Sequence, residues 1–445
     1  MGRGARRPPQ RPRPRHLDSP AAPSYAVDTV PPARPPPSRL VVLLALLHAC
    51  APPDEAALPG GPAAPNVCEA ALPTPALDDA AEAPVDGLPR DWRSRYAQGE
   101  SSFEQVYRER SGLGPTYVHS VCAACHAGAG RGPKDVTKMV VMDGDAPAAD
   151  QSALPWGPTV RPEVAGGGTT PILPPEGVDG LRVTTRYPNA LWGRGYLEAI
   201  ADSEIEAVEA EQAAGGVVSG RINRIAWSGV EADSAFHAHQ AGDIGLIGRF
   251  GHKARVATLD EFAADALVGD MAITSPLRPS EHPNPDELTD DDRDGVDASL
   301  DTVNLLGDYP RALAIPARTP SEEGAAVFAA IGCADCHVPS LRTRGDYPIA
   351  ALADVDAEVY TDLLLHDMGE ALADGQEEGD AGSAEWRTAP LIGLRHLDGF
   401  LHDGRADTLG EAIAAHGGEA ADARAAFDAL GEADRAAMCG FLGGL

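Results

Sequence analysis

The chain opens without any repeating pattern. Residues 1–39 mix Pro, Arg and Ala with neither helical nor strand period, and read as disordered or as an over-long gene start. Behind Arg39 comes an unbroken apolar run at 40–47. A bilayer span needs about 20 residues, so this run is too short to cross one. Its length and its basic flank predict a secretory h-region. It ends Leu-His-Ala-Cys at 47–50, which looks like a bacterial lipobox with an atypical His48, and makes Cys50 a candidate for lipidation. Residues 1–49 are therefore read as a disordered lead and signal peptide. The Ala/Pro/Asp-rich stretch 50–95 is read as a tether.

Helical patterning follows at 102–110, before the Gly-rich 111–114. Residues 127–245 are rich in Gly and Pro and weakly periodic, with strand-like patches at 217–225, and are expected to be a large loop-rich insertion. Helical spacing returns at 258–267. Ser321 with Glu322 and Glu323 marks a helix start running towards residue 333. Thr408 and Glu411 form a capping box for a helix that reaches His416. A terminal helix is predicted at 432–442, with Phe328 and Phe441 as its contact to the helix after Ser321. The predicted fold is mainly α, in two domains, 96–318 carrying the insertion and 319–445; Cys-X-X-Cys-His at 122–126 and again at 333–337 marks each as a cytochrome c-like haem domain.

The haem expectation comes from the cysteines. There are seven, and four of them form two Cys-X-X-Cys pairs. Residues 122–126 read Cys-Ala-Ala-Cys-His and residues 333–337 read Cys-Ala-Asp-Cys-His. Two thiols one helical turn apart can each add to a haem vinyl group, and the following His then ligates the iron. A zinc site or a redox dithiol does not explain His directly after the second Cys, twice. Cys122, Cys125, His126, Cys333, Cys336 and His337 are thus the expected attachment and iron-ligand residues of two c-type haems. Cys68 and Cys439 are left over. A disulfide between them is compatible with export, but one lies in the tether and the other in the terminal helix, which weighs against pairing. As the spare thiols they give little support to thiol-based catalysis.

Charge narrows the partners. The formal net charge is -31, and the first 49 residues hold eight Arg against two acids, so the remainder is more acidic still. Such a surface excludes nucleic acid as a partner and suits a small basic redox protein, for which complementary charge steers encounter. An acidic turn, Asp-Asp-Asp-Arg-Asp-Gly at 290–295, resembles the start of a calcium loop. Its twelfth position is Asp301 and polar Asp297 stands where an apolar residue is usual, so a solvated turn is the better reading and calcium is unsupported.

Several segments carry a resemblance to the di-haem oxidoreductase family, relatives of the bacterial di-haem cytochrome c peroxidases. They are Gly-Tyr-Leu-Glu-Ala-Ile (195–200), Ser-Gly-Arg-Ile-Asn (219–223), Gly-Arg-Phe-Gly-His-Lys-Ala (248–254) and Gly-Asp-Met-Ala-Ile-Thr (269–274). Further along come Tyr-Thr-Asp-Leu-Leu-Leu-His-Asp-Met-Gly (360–369), Glu-Trp-Arg-Thr (385–388), Leu-His-Asp-Gly-Arg-Ala (401–406) and His-Gly-Gly-Glu-Ala (416–420).

The resemblance implies that His416 is the sixth ligand opposite His337, closing the C-terminal iron so that this haem carries electrons. It implies that the N-terminal haem is the reactive one, with Asp270 as a catalytic acid and Phe250 as an aromatic between the haems. The chain departs from the pattern at Phe262, where relatives carry a Gln at the peroxide site. The sixth ligand of the first haem stays open among Met271, Met368, His252, His366 and water. His366 and His402 are expected at propionates or at the domain interface, and Arg387 and Arg405 are candidates for neutralising propionates. The function expected is that of an exported di-haem c-type cytochrome, periplasmic or lipid-anchored to the bacterial envelope through Cys50. It would pass electrons to a small oxidant such as hydrogen peroxide. The alternative is a non-catalytic electron carrier for respiration or metal uptake.

Overall fold

In the computed structural model the helix nearest the start of the described chain, α1 (Arg90–Phe103), begins directly after Pro89. Proline lacks the N–H that a helix start leaves unpaired anyway. The structure describes Cys68 and residues 82–445, apart from 133–135, 230–233, 238, 241 and 289–294. The lead, the h-region, Cys50 and most of the tether lie outside these residues, as do Asp290 to Asp294 of the acidic turn. Asp297, beyond that turn, accepts the backbone N–H of Thr274 at 2.9 Å, a structural use. All described residues belong to one unit, Leu58–Leu445.

The helix expected at 102–110 is displaced: α1 ends at Phe103. Tyr107 is buried and donates its backbone N–H to Ser120 O at 2.7 Å, which pulls the chain out of helix. A four-residue helix α2 (Cys122–Cys125) carries the first thiol pair. Then follow α3 (Arg194–Ala199) and α4 (Asp202–Ala213). Helix α5 (Leu259–Met271) extends the predicted 258–267, with the Thr258 hydroxyl accepting from Glu261 N at 3.1 Å. Helix α6 (Leu300–Ala312) is capped by Ser299. In the C-terminal part, α7 (Glu322–Ala330) is capped by Ser321, and α8 (Leu409–Ala414) has the predicted Thr408/Glu411 box. Helices α9 (Ala421–Asp428) and α10 (Glu432–Gly444) complete the chain.

The mainly α expectation needs correction. With 34% helix and 16% strand the fold is mixed. The strands lie chiefly where a loop-rich insertion was expected. Val136–Asp143 pairs antiparallel with Leu181–Arg186 over six residues and with Ala146–Pro147 at its end. Met139, Val160 and Ile172 fill a small core under this sheet. Shorter antiparallel pairs occur elsewhere, among them Leu365–Asp367 with Glu385–Arg387.

Two helix contacts set up the sites. Helix α1 lies along α6, with Tyr309 meeting Tyr96 at 5.3 Å and Phe103 at 4.9 Å between ring centroids. Helix α7 crosses α10, and Phe328 meets Phe441 at 5.3 Å, as the sequence predicts. Gly324 permits that crossing: a Cβ there would lie 2.2 Å from Ala437 O. Cys68 is bonded to Cys439, with Cα atoms 5.1 Å apart, and both are buried in the apolar cluster around α7 and α10. The pairing that the sequence weighed against is therefore present.

Candidate haem sites

The first site is a cleft of about 960 Å3, part of it open to solvent. Cys122, Cys125 and His126 line it, and so do Phe250 and Asp270. Every residue expected at this site therefore reaches it. Helix α2 turns once, and His126 N bonds Cys122 O at 3.1 Å, so the three side chains leave one short helix together. The His126 ring meets Phe103 edge-on at 6.2 Å. Burial, with a smaller contribution from the Asp270 charge, pushes the Cys122 thiol up to about 12. Such a thiol suits an apolar cofactor seat and is poorly suited to act as a free thiolate.

Helix α5 forms a wall through Leu259, Phe262, Ala263, Ala266, Leu267, Asp270 and Met271. Asp270 is the carboxylate among the cleft residues, and the Phe262 departure sits beside it on the same wall. Of the side chains considered as sixth ligands, Met271 alone lines the cleft. His252 is instead buried against Tyr187 O at 2.8 Å, and burial, reinforced by Arg186 and Arg131, holds its pKa well below the ordinary value. Arg387 lines the cleft as a propionate partner should, whereas Arg405 pairs with Asp403 away from it. Arg194 also lines the cleft and was not foreseen from the sequence. Its signal was available: a lone cation at the start of an otherwise apolar segment, next to Leu191 and Trp192.

The second site forms where α7 runs into a tight turn at Cys333–Asp335. His337 N bonds Cys333 O at 3.0 Å. The His337 Nδ1 lies 3.0 Å from Tyr360 O, and the His416 Nδ1 lies 2.7 Å from Ala412 O. Each backbone carbonyl fixes Nδ1 as the protonated nitrogen and leaves Nε2 to act as a ligand. Burial, then the nearby His416, lowers His337 to about 4, and burial lowers His416. Both imidazoles are thus kept neutral, as metal ligation requires. Phe328, Phe400, Leu409, Phe427 and Phe441 give this site an apolar wall.

His366 lies beside the second site, not in the first cleft. Its Nε2 is 2.9 Å from Asp362 and its Nδ1 3.0 Å from Glu419. Burial disfavours its charge, but the Asp362 bond and the Cys336 contact prevail and raise it to about 11. Cys336, Asp362 and His366 offer ligand atoms within 4.8 Å of one another. Cys336 belongs to the second Cys-X-X-Cys-His pentapeptide, however, and Glu419 occupies the other His366 nitrogen. The His402 ring stacks on Trp386, centroids 3.7 Å apart, with Lys253 Nζ 4.0 Å above Trp386.

The residues fit the groups the motifs imply. Each pentapeptide faces an apolar enclosure. The first also meets two buried guanidinium groups, Arg194 and Arg387, that have no carboxylate at ion-pair distance among the described residues.

A profile of the family described as "Di-haem oxidoreductase, putative peroxidase" matches residues 177–445, more than half the chain. The match contains the second pentapeptide and α5; the first pentapeptide lies before it. No curated protein matches. Among solved structures, hydrazine synthase from Kuenenia stuttgartiensis aligns at 12% identity and TM-score 0.31, over 82% of this chain and 94% of that one. The diheme peroxidase BthA from Burkholderia thailandensis aligns at 15% identity and TM-score 0.33, over 78% and 85%. Likenesses at such TM-scores bear on neither fold nor function.

Proposed function

This chain belongs to the di-haem oxidoreductase family, and from that premise we propose that it is an exported c-type cytochrome that reduces peroxide or a similar small oxidant. Cys122 and Cys125 hold one haem with His126 as iron ligand; Cys333 and Cys336 hold the other with His337 and His416. The haems supply one-electron chemistry when bound. His337 and His416 would both be taken up in holding the second group, which would suit that site to electron entry and leave the first for the oxidant. The observation carrying this reading is the convergence of Cys122, Cys125, His126, Phe250 and Asp270 on one cleft.

The rest of the mechanism belongs to side chains. Reducing one hydrogen peroxide to two waters takes two electrons and two protons. Asp270 is positioned to hold and deliver a proton at its carboxylate. Phe262, Ala263 and Ala266 give the same helix wall an apolar face. Phe250 stands on the side of the cleft that leads, through Gly251 and His252, towards the Trp386–His402 stack.

Export is supported by the apolar run before Cys50 and by the Cys68–Cys439 disulfide, a bond that persists in oxidising compartments. The location proposed is the periplasm, with membrane attachment only through a lipid on Cys50. The electron donor proposed is a small basic cytochrome or similar protein.

The test is peroxide turnover with a reduced cytochrome donor, using protein from a host that attaches c-type haem. A rate no greater than that of free haem refutes the enzyme reading. It would then favour an electron carrier, for which Phe262 and Met271 on the cleft wall speak. Phe262 cannot hydrogen-bond peroxide, and a Met271 thioether could close the first iron.

A further inference from the structure

The first cleft contains cations that its chemistry so far leaves unused. Arg194 and Arg387 are 7% and 5% exposed, and both line the cleft. Arg194 donates Nε to Ala190 O at 2.6 Å. Arg387 donates Nε to Gly251 O at 3.0 Å and Nη1 to Thr388 O at 2.9 Å. These bonds fix each side chain by its inner nitrogens, to backbone. Among the described residues, both terminal nitrogens of Arg194 and the Nη2 of Arg387 take no protein acceptor, and neither guanidinium forms an ion pair. The charges nearest Arg194 are cationic, from Arg387 and Arg131, and burial together with these two depresses it to about 9. Burial likewise lowers Arg387 to about 10.

Arg131 differs instructively. It is also buried near this place, but its guanidinium donates to Pro188 O, Gly399 O, Tyr187 O and Leu401 O. Its donors are used by the fold. Those of Arg194 and Arg387 are held ready for something else. Cationic groups brought together at a cleft without a carboxylate partner repel each other and favour an anion. Two such groups side by side call for anions, and planar guanidinium matches carboxylate best.

We propose that Arg194 and Arg387 form a carboxylate-binding subsite that holds the two propionates of the first haem. This rests on the reading of the cleft as a haem site. Because both arginines are buried, they would take those carboxylates out of bulk solvent. Because Arg194 opens α3 while Arg387 ends the strand Glu385–Arg387, the propionates tie two distant stretches of chain together. The paired cations also disfavour the ferric charge and keep the propionates ionised, which raises the potential of this haem and makes it insensitive to pH.

The experiment uses full-length, haem-loaded protein and the variants Arg194→Met and Arg387→Met, with Arg405→Met as control and Arg194→Lys to retain charge. Mass spectrometry counts haems, and spectroelectrochemical titration at several pH values gives both midpoint potentials. The expected result is two haems throughout. One potential falls in each Met variant and becomes pH-dependent, while the other potential, the control and Arg194→Lys stay near wild type. Unchanged potentials in both Met variants overturn the proposal. So does a saturable shift of the wild-type potential on adding sulfate that is lost in the variants, since the arginines would then serve a free anion. Wild-type protein with no haem at the first pentapeptide defeats the underlying reading instead, and the mass alone reveals it.

Discussion

At the scale of single residues, environment decides which titratable groups are chemical and which are structural. Asp270 is the carboxylate on the cleft wall, so Asp270→Ala should lower peroxide kcat by about 100-fold or more, the usual size of a lost general acid. Stopped-flow turnover measures this, and an unchanged rate removes Asp270 from the mechanism. On the proposed ligation, His416→Ala would open the second iron and should turn a low-spin optical signal into a high-spin one. His402 yields a prediction of a different kind. Burial, with Arg186 and other nearby cations, depresses it from 6.5 to about 2. The unfolded chain therefore binds a proton that the folded chain refuses. The stability linked to this group is complete above about 6.5 and is lost as pH falls from there towards 2. His402→Phe keeps a ring against Trp386 and should flatten the acid limb of a Tm-against-pH curve. An equally steep limb would mean that other groups, His252 foremost, govern acid unfolding.

Elements explain how much of this was legible in the sequence. The grouping of Cys122, Cys125 and His126 at one cleft was, because the pentapeptide keeps them within one turn and needs no knowledge of distant partners. So were α7, α8 and α10, each marked by caps or by the Phe328–Phe441 pair. Helix α1 was misplaced because the polar 104–110 read as helical, while a distant acceptor, Ser120 O, drew Tyr107 out of it. The sheet was missed because Val136–Asp143 finds its partner at Leu181–Arg186, across a Gly- and Pro-rich stretch that hides strand signals. Arg194 was missed because a single cation has no meaning until a cleft forms around it. Two predictions belong at this scale. Gly324→Val drives side-chain carbon into Ala437 O and should cost about 1–3 kcal/mol, read as a lower denaturant midpoint together with a disturbed second-haem spectrum. His366 ties Asp362 to Glu419, three residues past His416, and Glu419 also accepts Ser219 N at 2.7 Å. Glu419→Gln should loosen that loop and add a high-spin fraction while leaving two haems attached.

For the whole molecule the consequential feature is the bond between Cys68 and Cys439, whose sequence separation is 371 residues. The closed loop contains both pentapeptides and therefore all four attachment thiols. In the chain-entropy view, closing so long a loop stabilises by on the order of 5 kcal/mol, though measured values for disulfides are more often about 2–4 kcal/mol. It also fixes Cys68, from within the stretch read as a tether, in the apolar cluster that contains Phe441. Maturation thus has to join Cys68 and Cys439 by a two-electron oxidation while the four pentapeptide thiols stay reduced for addition to vinyl groups, although Cys333 packs against the same apolar cluster as the disulfide. Alkylation of native exported protein should leave Cys68 and Cys439 unmodified until a reductant is added. The double variant Cys68→Ser with Cys439→Ser should keep both haems but unfold at a lower temperature. Free alkylation of both cysteines without reductant would show that the bond does not form in the exported protein. Protein retained in the cytoplasm is expected to lack the disulfide and the haems together, because both depend on the compartment that the apolar run at 40–47 is proposed to reach.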